Sequence, residues 1–258
     1  MTEAMDYRGR VVLVTGGTKG IGRVLTERFL GWGAEVMTCG RTEPESLPSV
    51  EGRTAGFVAA DLRDAEQAAA VVDAAVERFG DLHLVVNNAG GAPPADAATA
   101  SPRFSESIVR LNLLAPLHVA QRAHQRFLDL RSDDDPGVVI NIASVSATRP
   151  SPGTAAYGAA KAGLLSLTQS LAVEWAPRTR VVAVVAGLIL TEQAHLHYGD
   201  DDAIARISAT VPAGRFGTPD DLAEACRWLG SPLASYVSGS AVTLHGGGER
   251  PAFLDAAD

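Results

Sequence analysis

Thr15-Gly16-Gly17-Thr18-Lys19-Gly20-Ile21-Gly22 is the stretch that decides the fold. It follows an apolar, β-branched run at residues 10–15. It then passes straight into Ile21, Val24, Leu25, Phe29 and Trp32, which fall on one helical stripe. Glycines spaced Gly-x-x-x-Gly-x-Gly between a strand and a helix make a tight turn. Its backbone can approach a diphosphate at the positive end of the helix. Taken alone, the stretch is equally a plain Gly-rich turn. The strand before it and the helix after it favour the nucleotide reading.

Outward from that turn the same alternation repeats. Strands are expected near residues 10–15, 35–39, 56–60, 82–87, 138–142, 181–185 and 241–245. Most are apolar nearly throughout, as parallel strands covered on both faces require. Ala68, Val72, Ala75, Val76 and Phe79 form a second helical stripe, and Leu222, Cys226 and Leu229 mark a later helix behind the start signal Thr218-Pro219. The pattern predicts one α/β domain over residues 1–258, a doubly wound, seven-stranded, mostly parallel sheet with helices on both faces. Pro116 predicts a kink in the helix that carries Asn112. Residues 188–217 are the longest stretch without a strand pattern and are expected to form a substrate lid.

Composition narrows the function classes. The chain has 258 residues, 46% hydrophobic and 20% charged, with net charge −8. That excludes a disordered chain and argues against a basic face for nucleic acid. The longest apolar run, residues 181–190, is about half of a membrane-spanning helix. The acidic start, Met1-Thr2-Glu3-Ala4-Met5-Asp6, has no apolar signal core. Cys39 and Cys226 cannot build a disulfide framework and suit a reducing compartment. A cytoplasmic protein with no nucleic-acid or membrane partner is expected. Of 22 basic residues only Lys19 and Lys161 are lysine, so lysine chemistry is concentrated at two sites. His195 and His197 lack the Cys or acidic spacing of a metal site, and no metal is expected.

Further along stand Asp61-Leu62 after the third predicted strand and Asn87-Asn88-Ala89-Gly90 after the fourth. Asn112, Ser144, Tyr157 and Lys161 follow in order, then residues 212–222 and 237–248. With the opening glycine turn, these motifs resemble the short-chain dehydrogenase/reductase family, in its compact single-domain subclass, over about residues 9–248. The resemblance implies a Rossmann-type sheet of order 3-2-1-4-5-6-7 and a catalytic tetrad of Asn112, Ser144, Tyr157 and Lys161. It implies cofactor contacts at Gly16, Thr18, Lys19, Gly20, Ile21, Gly22, Asp61, Leu62, Asn88, Ala89, Gly90, Tyr157, Lys161, Gly187, Ile189 and Thr191. The implied reaction is hydride transfer between a nicotinamide and a small-molecule carbonyl or secondary alcohol, with Asn112 in a proton relay to water. The implied assembly is a homodimer or homotetramer. The helices at 111–120 and 164–175, apolar on more than one face, agree with that. Two departures stand out: Ala186-Gly187 where the family usually has Pro-Gly, and His245 where an Asp is common.

The residues carry chemistry of their own. Tyr157 and Lys161 are i and i+4 on a helical pattern and share a face. A free tyrosine titrates near 10, and bringing it to about 7 takes roughly 4 kcal/mol of preference for phenolate. A neighbouring ammonium and the positive oxidised nicotinamide are its expected sources. Ser144, just past a buried strand, would hold the substrate oxygen beside Tyr157. Cofactor choice turns on the end of strand two, where a carboxylate would hold the ribose 2′-OH. The chain reads Met37-Thr38-Cys39-Gly40-Arg41-Thr42, with no acid until Glu43. Arg41 can pair with a 2′-phosphate and Lys19 lies in the facing loop, so NADP(H) is expected ahead of NAD(H). The substrate pocket is expected from residues 91–95, residues 145–154 and the lid. Pro93, Pro94, Val145, Leu188 and Leu196 would make it apolar, with Arg149 as an anion contact. A nucleotide-binding, redox-sensing regulator without turnover is the competing reading; it would have no use for Tyr157 and Lys161 together.

Overall fold

Apolar strands end where glycine, asparagine or serine takes over, and that sets the sheet's edges. The computed structural model describes residues 3–192, 194 and 198–249. The strands are β1 (Val11–Thr15), β2 (Glu35–Gly40), β3 (Gly56–Ala59), β4 (Leu84–Asn87), β5 (Gly137–Ser144), β6 (Thr179–Ala186) and β7 (Ala241–Leu244). They form one seven-stranded sheet in the order 3-2-1-4-5-6-7. Every pairing in it is parallel, with Val12 beside Val36 on one side and Leu84 on the other. A short antiparallel ribbon, Ser49–Val50 with Arg53–Thr54, stands apart from it. β5 and β6 run one or two residues further at each end than their apolar cores indicate. β4 starts only at Leu84, after His83 has turned its ring to accept the Val11 N–H at 3.0 Å.

The helices are α1 (Gly20–Gly31), α2 (Ala65–Phe79), α3 (Pro102–Val109), α4 (Ala115–Leu130), α5 (Ala155–Glu174), α6 (Asp201–Thr210) and α7 (Pro219–Leu229). Alternation along each strand divides the core between two helical layers. Val12, Val14, Leu84, Val86, Ile140 and Val184 pack with Leu25 and Phe29 of α1 and Leu222, Cys226 and Leu229 of α7. Val11, Leu13, Val85, Val139 and Val181 pack with Val72 of α2, Val119 and Phe127 of α4 and Leu171 of α5. Full burial of each such large side chain contributes roughly 1.5–3 kcal/mol. The start of α7 is a capping box, in which the Thr218 hydroxyl takes the Asp221 N–H and the Asp221 carboxylate takes the Thr218 N–H.

The predicted kink is a π-turn over Arg110–Leu114, where the Ala115 N–H reaches five residues back to the Arg110 carbonyl. Pro116 has no N–H to offer the Asn112 carbonyl four residues earlier, which favours the wider turn. Because β1 lies between β2 and β4, chain direction across the sheet reverses between β1 and β4. A crevice opens there beyond the strands' carboxyl ends. Among the described residues, no helix is long and apolar enough to cross a membrane.

Candidate active site

The turn after β1 is closed by contacts that leave no room for side chains. Gly16 has φ of +65°, and a Cβ on Gly22 would lie 2.2 Å from the Gly16 carbonyl oxygen and 2.5 Å from Asn88 Nδ2. Thr38, buried on β2, donates to the Val14 carbonyl and accepts the Gly17 N–H, both at 2.8 Å. From β4, Asn88 Nδ2 donates to the Thr15 carbonyl at 2.9 Å, while Thr15 Oγ1 accepts the Asn88 and Ala89 N–H groups at 3.0 Å. The two loops that bound the crevice are thereby bonded to each other. Thr18 faces Gly40 at the end of β2.

The exposed Lys19 is the N-cap of α1 and provides no side-chain cap. The Gly20 N–H instead donates to Glu192 Oε1, from the lid segment, at 2.8 Å. A carboxylate thus already sits at this helix start, the place where backbone N–H groups and the helix dipole accept an anion. The closed glycine turn, the anion position and the reversal crevice fit a dinucleotide diphosphate. Ile21, next in α1, packs partly into the core.

Arg41 is exposed just past β2 and close enough to Asp61 for its charge to lower that carboxyl. The larger effect on Asp61 is Arg63, whose guanidinium is bonded to it; both hold the carboxyl below the usual range. Arg63 also donates to Ser107 Oγ at 3.0 Å. The Leu62 side chain is buried in the core, so only its backbone is available to a ligand.

Tyr157 lies in the first turn of α5 and Lys161 one turn on, its side chain drawn toward the helix start. Lys161 is buried, donates to the Ile142 carbonyl of β5 at 2.7 Å, and sits 5.7 Å from the Tyr157 ring centre. Burial lowers its pKa to about 8. Burial raises the Tyr157 phenol above its ordinary value, a hydrogen bond from Ser144 pulls the other way, and Tyr198 of the lid adds to the rise. The expectation for Tyr157 combined the Lys161 ammonium with an oxidised nicotinamide; in the protein itself, burial raises the phenol. The Lys161 ammonium faces the Ile142 carbonyl. Ser144, at the end of β5, accepts the Ser146 N–H at 3.2 Å.

Asn112 is fully buried in the π-turn. Its Oδ1 accepts the Gly91 N–H at 2.9 Å, and its Nδ2 donates to the Gly91 and Ile108 carbonyls at 3.0 Å. Gly90 lies against both Asn112 and Lys161, since a Cβ there would be 2.7 Å from Asn112 Oδ1 and 3.2 Å from Lys161 Nζ. Beneath them a buried chain runs from Asn87 to Asn141 and on to Thr168, at 3.0 Å each. Sequence reasoning gave no role to Thr38, Asn141, Thr168 or Glu192. Buried polar residues inside apolar strands were the available signal for the first two.

Past β6, the Gly187 N–H donates to the Leu244 carbonyl at 2.9 Å, and Gly187, next to the departure at Ala186, packs against the other departure, His245. Ile189 bridges to Gly217, and bonds of 2.9 Å join Leu190 to Gly217 and Gly217 to Leu188. These bonds hold residues 188–190 against Gly217. Thr191 follows, partly buried. His195, Leu196 and His197 lie outside the described residues. Arg149, expected as an anion contact, is paired with Glu249 at 2.7 Å.

A family model described as enoyl-(acyl carrier protein) reductase matches residues 16–249. The 3beta-hydroxysteroid dehydrogenase 1 of Eggerthella lenta is 36% identical over 253 residues, covering 94% of this chain and 94% of that one. A solved short-chain dehydrogenase/reductase from Serratia marcescens matches with TM-score 0.83 at 27% identity, over 93% of this chain and 98% of its own. A candidate NAD(P)-dependent gluconate 5-dehydrogenase from Beutenbergia cavernae, with NADP bound at low occupancy, matches with TM-score 0.85 at 32% identity, over 95% and 98%.

Proposed function

The chain belongs to the short-chain dehydrogenase/reductase family, an oxidoreductase of CH–OH and C=O groups, and from that premise we propose that it reduces a ketone to a secondary alcohol with NADP(H). The observation that carries the reading is the convergence of Ser144, Tyr157 and the buried Lys161 beside the glycine crevice. When bound, the reduced dinucleotide supplies the hydride that goes to the carbonyl carbon. Tyr157 gives its phenolic proton to the carbonyl oxygen, and Ser144 holds that oxygen by hydrogen bond. With its pKa raised, Tyr157 is a protonated phenol at neutral pH, the form a reduction needs. Lys161, an ammonium below about pH 8, holds the ribose hydroxyls, and Asn112 keeps the 90–91 backbone in place at the head of a relay to water.

The Gly16, Gly20 and Gly22 turn takes the diphosphate, with Thr18 and Lys19 at its rim and Ile21 at the helix start. The backbones of Asp61, Leu62, Asn88, Ala89 and Gly90 take the adenosine and nicotinamide riboses. Gly187, Ile189 and Thr191 meet the nicotinamide, and residues 188–217 act as the lid. Leu128 on α4 and Val173 on α5 are 48% and 81% exposed, and on these helices two or four copies pair. The setting is cytoplasmic. NADP(H) is selected because the exposed Arg41 and Lys19 stand where an acid would repel a 2′-phosphate. NADPH is expected to bind more tightly than NADH, and Arg41→Asp to reverse the order, in fluorescence titrations of the purified protein. NADH binding at least as tightly to the unmutated chain overturns this cofactor assignment.

A further inference from the structure

Beside Tyr157 lies a cavity of about 140 Å³, lined by Ala92, Pro93, Phe104, Ile108 and Ala156 as well as Tyr157 itself. An apolar cavity of about 150 Å³ holds one benzene molecule, so this one accommodates a single six-membered ring. Among the described residues its polar side chains are hydroxyls, those of Ser105, Tyr157 and Thr154, the last bonded to Ser151 Oγ at 2.6 Å. Among the described residues that line it there is no cation, so a carboxylate taken into this lining would lose its water without a counter-charge, which is strongly unfavourable. Arg149, the one cation expected near the mouth, is held by Glu249. The walls are tied together by the Ala95 N–H, which donates to the Gly153 carbonyl at 2.8 Å. The floor is tied to the catalytic side as well. Phe104, Ile108 and Asn112 follow one another at i, i+4 and i+8, and Asn112 bonds both the Ile108 carbonyl and Gly91.

We infer that this pocket selects an uncharged ketone whose buried part is one six-membered ring, and that Phe104 and Ile108 set that size limit. The inference rests on the oxidoreductase reading above and adds a substrate class to it. Reduction of such a ketone balances as hydride from NADPH to the carbonyl carbon and a proton from Tyr157 to the oxygen, leaving NADP⁺ and the alcohol.

The test compares three ketones with the full chain: cyclohexanone, 4-oxocyclohexanecarboxylate and the two-ring 2-decalone. Initial rates with NADPH are measured for each, and each is titrated calorimetrically into the protein. Cyclohexanone is expected to exceed both others at least tenfold in kcat/KM and to bind more tightly than either. Phe104→Ala is expected to raise the 2-decalone to cyclohexanone ratio at least tenfold, and Phe104→Leu, which is gentler on folding, to raise it by less. A carboxylate that binds or reacts as well as cyclohexanone, or a ratio that neither substitution moves, overturns the inference. If no ketone is reduced, the oxidoreductase reading fails by itself, and the calorimetric order still decides the pocket.

Discussion

At the amino ends of the strands, Arg10 bonds Asp135 at 2.8 Å, and Arg131 bonds both Asp135 at 2.9 Å and Asp81 at 2.5 Å. His83 adds a 3.5 Å contact to Asp81, and the buried Arg180 donates to the Leu229 and Val237 carbonyls. At the carboxyl ends, the buried cation Lys161 faces a single carbonyl, and the start of α1 is met by a lid carboxylate. At one end Arg10 and Arg131 are paired with carboxylates, and Arg180 is shared among carbonyls. The other holds a buried ammonium and a helix start whose best partners are a ligand's hydroxyls and phosphates. A buried charge that the fold leaves without a counter-charge is costly to stability, and here it lies where the family carries out its chemistry. Substitutions at the first end should therefore cost stability and spare turnover, and substitutions at the second should do the reverse.

The largest effect is expected at the amino end. Asp81→Asn removes the carboxylate that Arg131, only 9% exposed, depends on, though Asp135 remains. A loss of about 2 kcal/mol is expected. At roughly 2–4 °C per kcal/mol for a chain of this size, that lowers Tm by about 4–8 °C. Turnover at pH 7 should stay within about twofold. The same end sets an acid limit. Burial, with the Arg131 charge, pushes His83 down to about 4, below its ordinary value near 6.5. The contribution of neutral His83 is fully present above pH 6.5 and is lost as pH falls toward 4. Calorimetric Tm should fall across that window in the unmutated protein, and much less in His83→Asn. An equal fall in both would remove His83 from the account.

The next effect belongs to the carboxyl end. Lys161→Arg preserves charge but replaces a compact ammonium with a wide planar fork. That fork cannot keep both the Ile142 carbonyl and the neighbourhood of Tyr157. Turnover should fall at least about tenfold, equivalent to about 1.4 kcal/mol, while Tm changes little. The pH profile discriminates further. In kcat/KM, the free enzyme should lose activity as Lys161 deprotonates near pH 8. An arginine stays charged there, so that limb should move to higher pH. Unaltered turnover with an unaltered limb would make Lys161 a structural residue only.

How much of this was legible beforehand follows from what kind of atom does the work. The parallel, helix-covered sheet was readable because its strands are apolar on both faces, as in Val181-Val182-Ala183-Val184-Val185, and the helical stripes are unbroken, while its strand order came only from the family resemblance. The pairing of Tyr157 with Lys161 was readable because four residues make one helical turn. The partner of Lys161 was not, because the Ile142 carbonyl is a backbone group that carries no residue signature. Nor was the neutralisation of Arg149 by Glu249, a contact between residues a hundred positions apart that only the closed fold brings together. The rise that burial alone imposes on Tyr157 was not readable either, for a related reason. Spacing shows that two groups are near each other but not how deeply both are buried, and burial decided the sign.

The smallest expected effect tests the exchange between lid and crevice. Glu192 reaches the Gly20 N–H across 172 positions of sequence and occupies the anion position at the start of α1. Lys19 offers that helix no side-chain cap. A dinucleotide diphosphate is drawn to the same N–H groups, so its binding must move the carboxylate aside and hold it near two like charges. Glu192→Gln keeps a hydrogen-bond acceptor of the same length but removes the charge. The amide is a weaker partner for the helix dipole, whose effect on an exposed anion is about 0.3–1 kcal/mol. The Kd for NADPH should therefore fall about two- to fivefold, and the gain should shrink at high salt because it is electrostatic. The same substitution should leave binding of uncharged ketones unchanged. It should also lower the Tm of the ligand-free protein slightly, because the helix start loses its anion. An NADPH affinity that Glu192→Gln leaves unchanged or weakens would mean that the carboxylate does not compete for the crevice, and that the carboxyl end is as internally matched at this point as the amino end.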